Sequence, residues 1–433
     1  MRIYNYPSKS AQKRVASIIN RGLKFNKKEY QDVARILEDV RHHGDKALMK
    51  YVNRFDSPGL NIKSIKVTNK EIETAVKRVD RTFTQSLNRA VAQIESFHEQ
   101  LSSISWMNTD RPGTIIGQLV NPVDAAGVYV PGGRGGKTPL VSSVLMGAIP
   151  AGIAGVKQIA MVTPSEKNGT VNPHLLAAAK KVGVDSIYKI GSAWAIAALA
   201  YGTETIPKVD VIVGPGNIYV TLAKKIVAGA VGIDMIAGPS EILIIADDMA
   251  NPDFIAADIL SQAEHDTRAS AILVTNSKKT AKAVAGAVDA QLEGQTRKEI
   301  AEKSIARYGA IMVVPDIAAA IELANLIAPE HLELHIAEPF AYIDQIRNAG
   351  AVFVGDYSPE SVGDYIAGPN HVLPTAGTAR FASALSVDNF IKKTSLIHYT
   401  KEAFKKEAKD IIRLAEIEGL DAHANSIKIR LEK

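Results

Sequence analysis

Acid, amide and imidazole side chains suited to proton and metal chemistry are concentrated in a few short segments of this sequence. Pro252 to His265 reads as one helix with Pro in its first turn, ending in Leu260-Ser261-Gln262-Ala263-Glu264-His265. On such a helix Gln262 and His265, three apart, project from one face, a spacing that suits a small divalent cation. A lone helical histidine is more often structural, so the pair alone decides nothing. Ala328-Pro329-Glu330-His331 sets an acid beside an imidazole between a helix and a strand. Gly363-Asp364-Tyr365 and Asn370-His371 fall in a Gly- and Pro-rich loop, the usual place for function. Glu418 and His423 lie in a charged helical arm near the C-terminus. Among the ten histidines, His42, His43, His98, His174, His335 and His398 lack such partners and read as surface or packing residues.

The chain has no cysteine, which excludes disulfides and thiolate zinc sites. It also excludes aldehyde oxidation through a thiohemiacetal; such chemistry would need a hydrated aldehyde and an activated water. A zinc site here must use nitrogen and oxygen donors.

Three glycine-bearing turns follow or precede strand candidates. Tyr129-Val130-Pro131-Gly132-Gly133-Arg134-Gly135-Gly136-Lys137-Thr138 leads from a strand into a helix, but Pro131 stands where a Walker A loop has its first glycine. It reads as a tight turn or as a loop shaping a ligand pocket at the carboxyl ends of strands. Gly214-Pro215-Gly216-Asn217 opens another helix without the third glycine of the dinucleotide fingerprint, and Asn217 could cap that helix, contact a ligand, or both. Gly238-Pro239-Ser240-Glu241 is a turn with an exposed hydroxyl and no nearby histidine to activate it.

The elements that must position these residues change character along the chain. Residues 30–55 and 71–104 carry apolar side chains at helical spacing. From about residue 114, short apolar runs alternate with helical segments. The strand candidates are 115–120, 127–130, 159–163, 187–190 and 209–213, then 242–246, 271–275, 310–314, 332–336 and 351–354. This alternation predicts an α/β protein built on two incomplete Rossmann-like parallel sheets, with small helical N- and C-terminal extensions. The expected divisions are a 1–25 extension, a first α/β domain of 26–128 plus 240–380, a second of 129–239, and a helical arm of 381–433.

With 433 residues, 46% hydrophobic and 22% charged, the composition is that of a globular protein of several domains. A net charge of +5, with basic and acidic residues interspersed, gives no nucleic-acid surface. The uncharged stretch 138–156 carries two prolines and several glycines, a poor membrane span and a good buried segment. The opening Met1-Arg2-Ile3-Tyr4-Asn5-Tyr6-Pro7 lacks the apolar core of a signal peptide, so a cytoplasmic location is expected.

Several of these segments, in this order, resemble the histidinol dehydrogenase family, which carries out the last steps of histidine biosynthesis. The most specific are Ala237 to Glu241, Leu260 to His265, Ala328 to Glu333, and Gly363 through Thr375. The resemblance spans nearly the whole chain. It implies one Zn2+ per subunit on Gln262, His265, Asp364 and His423, and a catalytic pair Glu330 and His331. It implies substrate contacts from Ser240, His371 and Glu418 as well as from the zinc ligands and His331, and NAD contacts from Tyr129 and Asn217. It further implies a homodimer whose C-terminal arm completes the partner's site. The implied reaction takes L-histidinol through L-histidinal to L-histidine with two NAD. His331 would act as base, Glu330 would activate water, and zinc would hold the substrate's nitrogens.

Two features depart from the family pattern. Trp194 stands where many members have a glutamine on NAD, and its indole could stack on the cofactor or belong to the core. The loop Arg134-Gly135-Gly136-Lys137 is longer than in many relatives. Competing readings are a relative that oxidises another alcohol such as a sulfonated diol, a zinc hydrolase, and a non-catalytic binding protein. His371 and Glu418 suit a cationic or imidazole-bearing substrate and weigh against the first. NAD dependence discriminates the second, and NADH production the third.

Overall fold

The computed structural model describes residues 1–22, 25–132 and 138–432, so the Arg134–Lys137 loop lies outside the described residues. Two fully parallel sheets carry the fold. One has six strands in the order Ile3–Asn5, Ala310–Val313, Ser270–Thr275, Glu241–Ala246, His331–His335 and Ala351–Val354. The other has five, in the order Ser186–Tyr188, Gln158–Val162, Ala125–Tyr129, Val211–Val213 and Gly232–Ile233. Their central strands are buried on both faces, as continuous apolar runs such as Ile242-Leu243-Ile244-Ile245 require.

The expected strands appear with ends shifted by one or two residues, and the expected α/β class holds. The N-terminal segment is more than a helical extension, because Ile3–Asn5 adds an edge strand before the helix Lys9–Ile19. Thr114–Pro122, expected to run parallel, is instead the middle of a three-stranded antiparallel sheet with Trp106–Asn108 and Ile391–Tyr399. Most of its residues are half-buried or exposed, unlike the fully buried central strands of the parallel sheets. This sheet and the helices Lys401–Ile417 and Asp421–Glu432 form a separate compact unit, 102–123 with 391–433; the remainder of the chain is the other unit.

Helices of residues 27–99, expected with 240–380, pack on those of the five-stranded sheet. Lys27–Tyr51 lies on Ser192–Tyr201 and Ile218–Val227, Asn69–Arg78 on Pro173–Lys181, and Arg81–Glu99 on Val141–Ala154. The reason is legible in Ser192–Tyr201, which is apolar on every side and needs cover beyond its own sheet. Capping boxes at Asn26/Glu29 and Thr68/Glu71 fix two of these helix starts, each contributing about 1 kcal/mol. The apolar stretch 138–156 becomes the buried helix Val141–Ala154. Its 14 residues span about 21 Å, short of a bilayer core of about 30 Å. Among the described residues no helix is long and apolar enough to cross a membrane.

Candidate active site

The helix Ile317–Ile327 is closed by Ala328 in the left-handed region (φ 54°), and Pro329 cannot continue it. The chain therefore turns at once into the strand His331–His335, placing Glu330 and His331 at its amino end. The adjacent strand begins at Glu241, with His331 in register with Ile242. The helix Pro252–Ala263 brings its last turn, with Gln262, to the same place.

Glu241 organises this convergence with both its backbone and its side chain. Its N–H donates to Glu330 Oε2 at 2.9 Å, while Glu330 N–H donates to Glu241 Oε2 at 3.2 Å. Its carbonyl lies 2.9 Å from His331 Nδ1. With its amide oriented to satisfy both ends, Gln262 donates to Glu360 at 2.7 and 2.6 Å and accepts from Glu241 N–H at 2.9 Å. The Glu241 carboxylate is itself held by the buried Arg21 at 2.7 Å and by Ala376 N–H at 3.0 Å.

A carbonyl only accepts, so the proton of His331 sits on Nδ1 and Nε2 keeps its lone pair. That Nε2 faces Glu360 Oε1 at 3.7 Å. Burial holds the imidazole down to about 4, so it is neutral at pH 7. An oriented neutral imidazole with a free lone pair has the form of a general base.

The acids around it are pushed the other way. Burial raises Glu330 well above the usual carboxylate range, and Glu241 adds to this. Burial, then Asp364, does the same to Glu360. Asp364 is raised to about 6 by burial, with His265 opposing. His371 is held down to about 4 by burial, its Nδ1 3.7 Å from Asp364 Oδ1. Ligand atoms of His331, Glu360 and Asp364 all lie within 4.8 Å of one another. Buried carboxylates with little compensating charge favour a divalent cation, and the nitrogen and oxygen donors suit zinc.

Gln262, His265, Glu330, His331, Asp364 and His371 thus come together within one unit, with Ser240 directly before Glu241. His265, expected on the helix, instead lies in the turn beyond it. The helix stops at Ala263, Glu264 caps it, and His265 N–H bonds the Gln262 carbonyl at 3.3 Å. The chain must turn there to enter the strand at Ser270. Glu418 and His423 belong to the other unit, where Glu418 caps the helix Lys401–Ile417 and His423 lies in the first turn of Asp421–Glu432; both are exposed. Glu360 and Arg21 also meet the site, and no motif in the sequence marks them. Glu241 stood inside a quoted motif, but its role depends on strand register, for which spacing carries no signal. His335, expected as a surface or packing residue, is buried with three carboxylates around it.

Two cavities meet these residues. One of about 290 Å³ is lined by His331, Phe353, Asp364, Asn370 and His371, room for a small compact ligand. A larger one of about 1650 Å³ passes Tyr129, Ser192, Trp194, Asn217 and His265. It opens where the order of the five-stranded sheet reverses, between Ala125–Tyr129 and Val211–Val213, at their carboxyl ends. Ligands of open α/β sheets bind at such switch points. Gly214 there (φ +115°) permits no side chain, since a Cβ would strike the Tyr129 carbonyl. Asn217 caps its helix, accepting from Tyr219 and Val220 N–H at 3.0 and 3.2 Å. Buried Tyr129 accepts from Ser192 N–H at 3.1 Å. The Trp194 indole is a buried core ring, parallel to Tyr51 and Phe55 and donating to Asp56 at 2.8 Å.

A model of the histidinol dehydrogenase family matches residues 20–431. The chain belongs to the histidinol dehydrogenase family. It is 57% identical over 400 residues to the histidinol dehydrogenase of Desulfotalea psychrophila, covering 92% of each chain. To that of Clostridium acetobutylicum it is 50% identical over 432 residues, covering 100% of this chain and 99% of the relative. The crystal structure of histidinol dehydrogenase from Elizabethkingia anophelis superposes with a TM-score of 0.93 at 39% identity, covering 100% of this chain and 98% of that one. These relationships make the chain an oxidoreductase of the histidinol dehydrogenase kind.

Proposed function

We propose that this protein oxidises L-histidinol to L-histidine through L-histidinal in histidine biosynthesis, using zinc and two NAD per turnover. The observation that carries the reading is His331: neutral, fixed by the Glu241 carbonyl, and facing a small cavity with Asp364 and His371. His331 takes the alcohol proton on Nε2 in the first step and a proton from the hydrated aldehyde in the second. Glu330 activates the water that forms that hydrate, which a chain without cysteine requires.

Gln262, His265 and Asp364 would hold zinc, with His423 as a further ligand. Zinc supplies positive charge that favours ionised carboxylates and a mount for the substrate's amine and imidazole nitrogens. Ser240, His371 and Glu418 bind and orient the substrate. NAD supplies the hydride acceptor, with Tyr129 and Asn217 holding it at the switch-point cavity. Glu418 and His423 reach the site from a second copy of the chain in a homodimer, and the enzyme works in the cytoplasm without membrane or nucleic acid.

Asp364→Ala and His265→Ala test the metal assignment. Each is expected to lose bound zinc and to lower turnover by about 100-fold or more, through lost positioning. Full activity in either variant after treatment with a chelator would contradict the assignment.

A further inference from the structure

The active-site acids continue into a second buried group of ligand-type side chains that the proposed reaction does not use. Asp258 lies one helical turn before Gln262, while Glu333 and His335 alternate along His331–His335 and so leave the strand on one face. The Glu333 side chain is 0% exposed, that of His335 1% and that of Asp258 14%. Glu333 Oε2 and His335 Nε2 are shut off from solvent and make no hydrogen bond.

The far ends of both side chains are already engaged. Glu333 Oε1 accepts from Glu360 N–H at 2.8 Å. His335 Nδ1 stands 3.2 Å from Asp356 Oδ1. A carboxylate in that position places the ring proton on Nδ1 and turns the Nε2 lone pair toward Glu333 and Asp258. A carboxylate behind an imidazole is the arrangement that orients metal-bound histidines.

The separations are longer than those of a tight ion pair and close to the spacing of ligands around a metal ion. His335 Nε2 is 3.4 Å from Glu333 Oε2 and 3.8 Å from Asp258 Oδ2, and one ligand atom from each of the three residues lies within 4.8 Å of the other two. Charge-assisted N–H···O bonds are shorter, about 2.7–2.9 Å. Two donors on a tetrahedral zinc ion, at bond lengths of about 2.0–2.2 Å, stand about 3.3–3.6 Å apart. Burial and Glu333 push Asp258 up to about 7, a sign of carboxylates short of positive charge.

We propose that Asp258 Oδ2, Glu333 Oε2 and His335 Nε2 form a binding site for a divalent transition-metal ion of the zinc class, separate from the candidate active site. Two carboxylates and a neutral imidazole balance a dipositive ion, and the donor set suits zinc. The partly exposed Asp258 edge gives the ion a path in and leaves a position for water. A proton is the competitor, because the same carboxylates raise the pKa of His335. Through Glu333 the ion would steady the Glu360 backbone, and with it the acid that Gln262 contacts.

The test is equilibrium dialysis of chelator-stripped full-length protein against Zn2+, followed by metal analysis. His335→Gln and Glu333→Gln are each expected to bind one equivalent fewer than the unaltered protein. Asp364→Ala keeps that equivalent, and zinc raises its Tm, whereas the Asp364→Ala/His335→Gln double variant shows no rise. This separates the second site from any failure of the active-site zinc. Equal zinc content in the unaltered protein and both single variants would overturn the proposal. If the buried variants do not fold, Asp258→Asn at the partly exposed position decides: loss of one equivalent supports the site, and retention overturns it.

Discussion

His331 and Glu330 are neighbours in sequence whose environments shift their pKa values in opposite directions. Burial lowers the imidazole to about 4 and raises the acid well above its usual range. This division of roles makes Glu330→Gln informative. The variant keeps the shape of the side chain but cannot activate water. It is expected to slow histidinal oxidation by about 100-fold, the order of a lost general base, and histidinol oxidation by much less. Equal losses, measured by supplying each substrate separately, would contradict the role of Glu330. Both residues were legible because they adjoin one another in a short motif. Glu360, Arg21 and the task of Glu241 were not legible. Their contacts arise from parallel register and from a helix end meeting two strand starts, which no local spacing encodes.

Among the elements, long apolar runs such as Glu241–Ala246 and Ser270–Thr275 were readable because parallel strands are apolar on both faces. Short edge strands such as Ile3–Asn5 and Gly232–Ile233 carry too few residues for a periodic signal. The helix Arg81–Glu99 buries His98 completely, with no partner for either ring nitrogen. Burial lowers its pKa from 6.5 to about 4, so the folded state prefers the neutral ring. Between those values the unfolded chain binds more protons, and stability falls as pH drops from 6.5 toward 4. The contribution is up to about 3 kcal/mol over that window, at about 1.4 kcal/mol per unit. His98→Leu is expected to flatten this part of the pH dependence in denaturant titrations. An unchanged slope from pH 6.5 to 4 would show that His98 is not its source.

At the scale of the whole molecule, the proposed dimer makes each site from two chains. Leu414, Ile417 and Leu420 on the C-terminal arm are exposed apolar residues beside Glu418, consistent with a surface that a second copy covers. Mixing His331→Ala with His423→Ala chains, each inactive alone, leaves one intact site in every mixed dimer. Random re-pairing should then restore about a quarter of the unaltered activity. No restoration after verified exchange of subunits would place His423 in the site of its own chain or outside it. The most direct test of the whole account is NADH formation from L-histidinol and NAD, with and without a chelator. About two NADH are expected per histidinol consumed, with loss of activity on chelation and recovery with Zn2+. Absence of NADH from histidinol, or full turnover by metal-free protein, would contradict it.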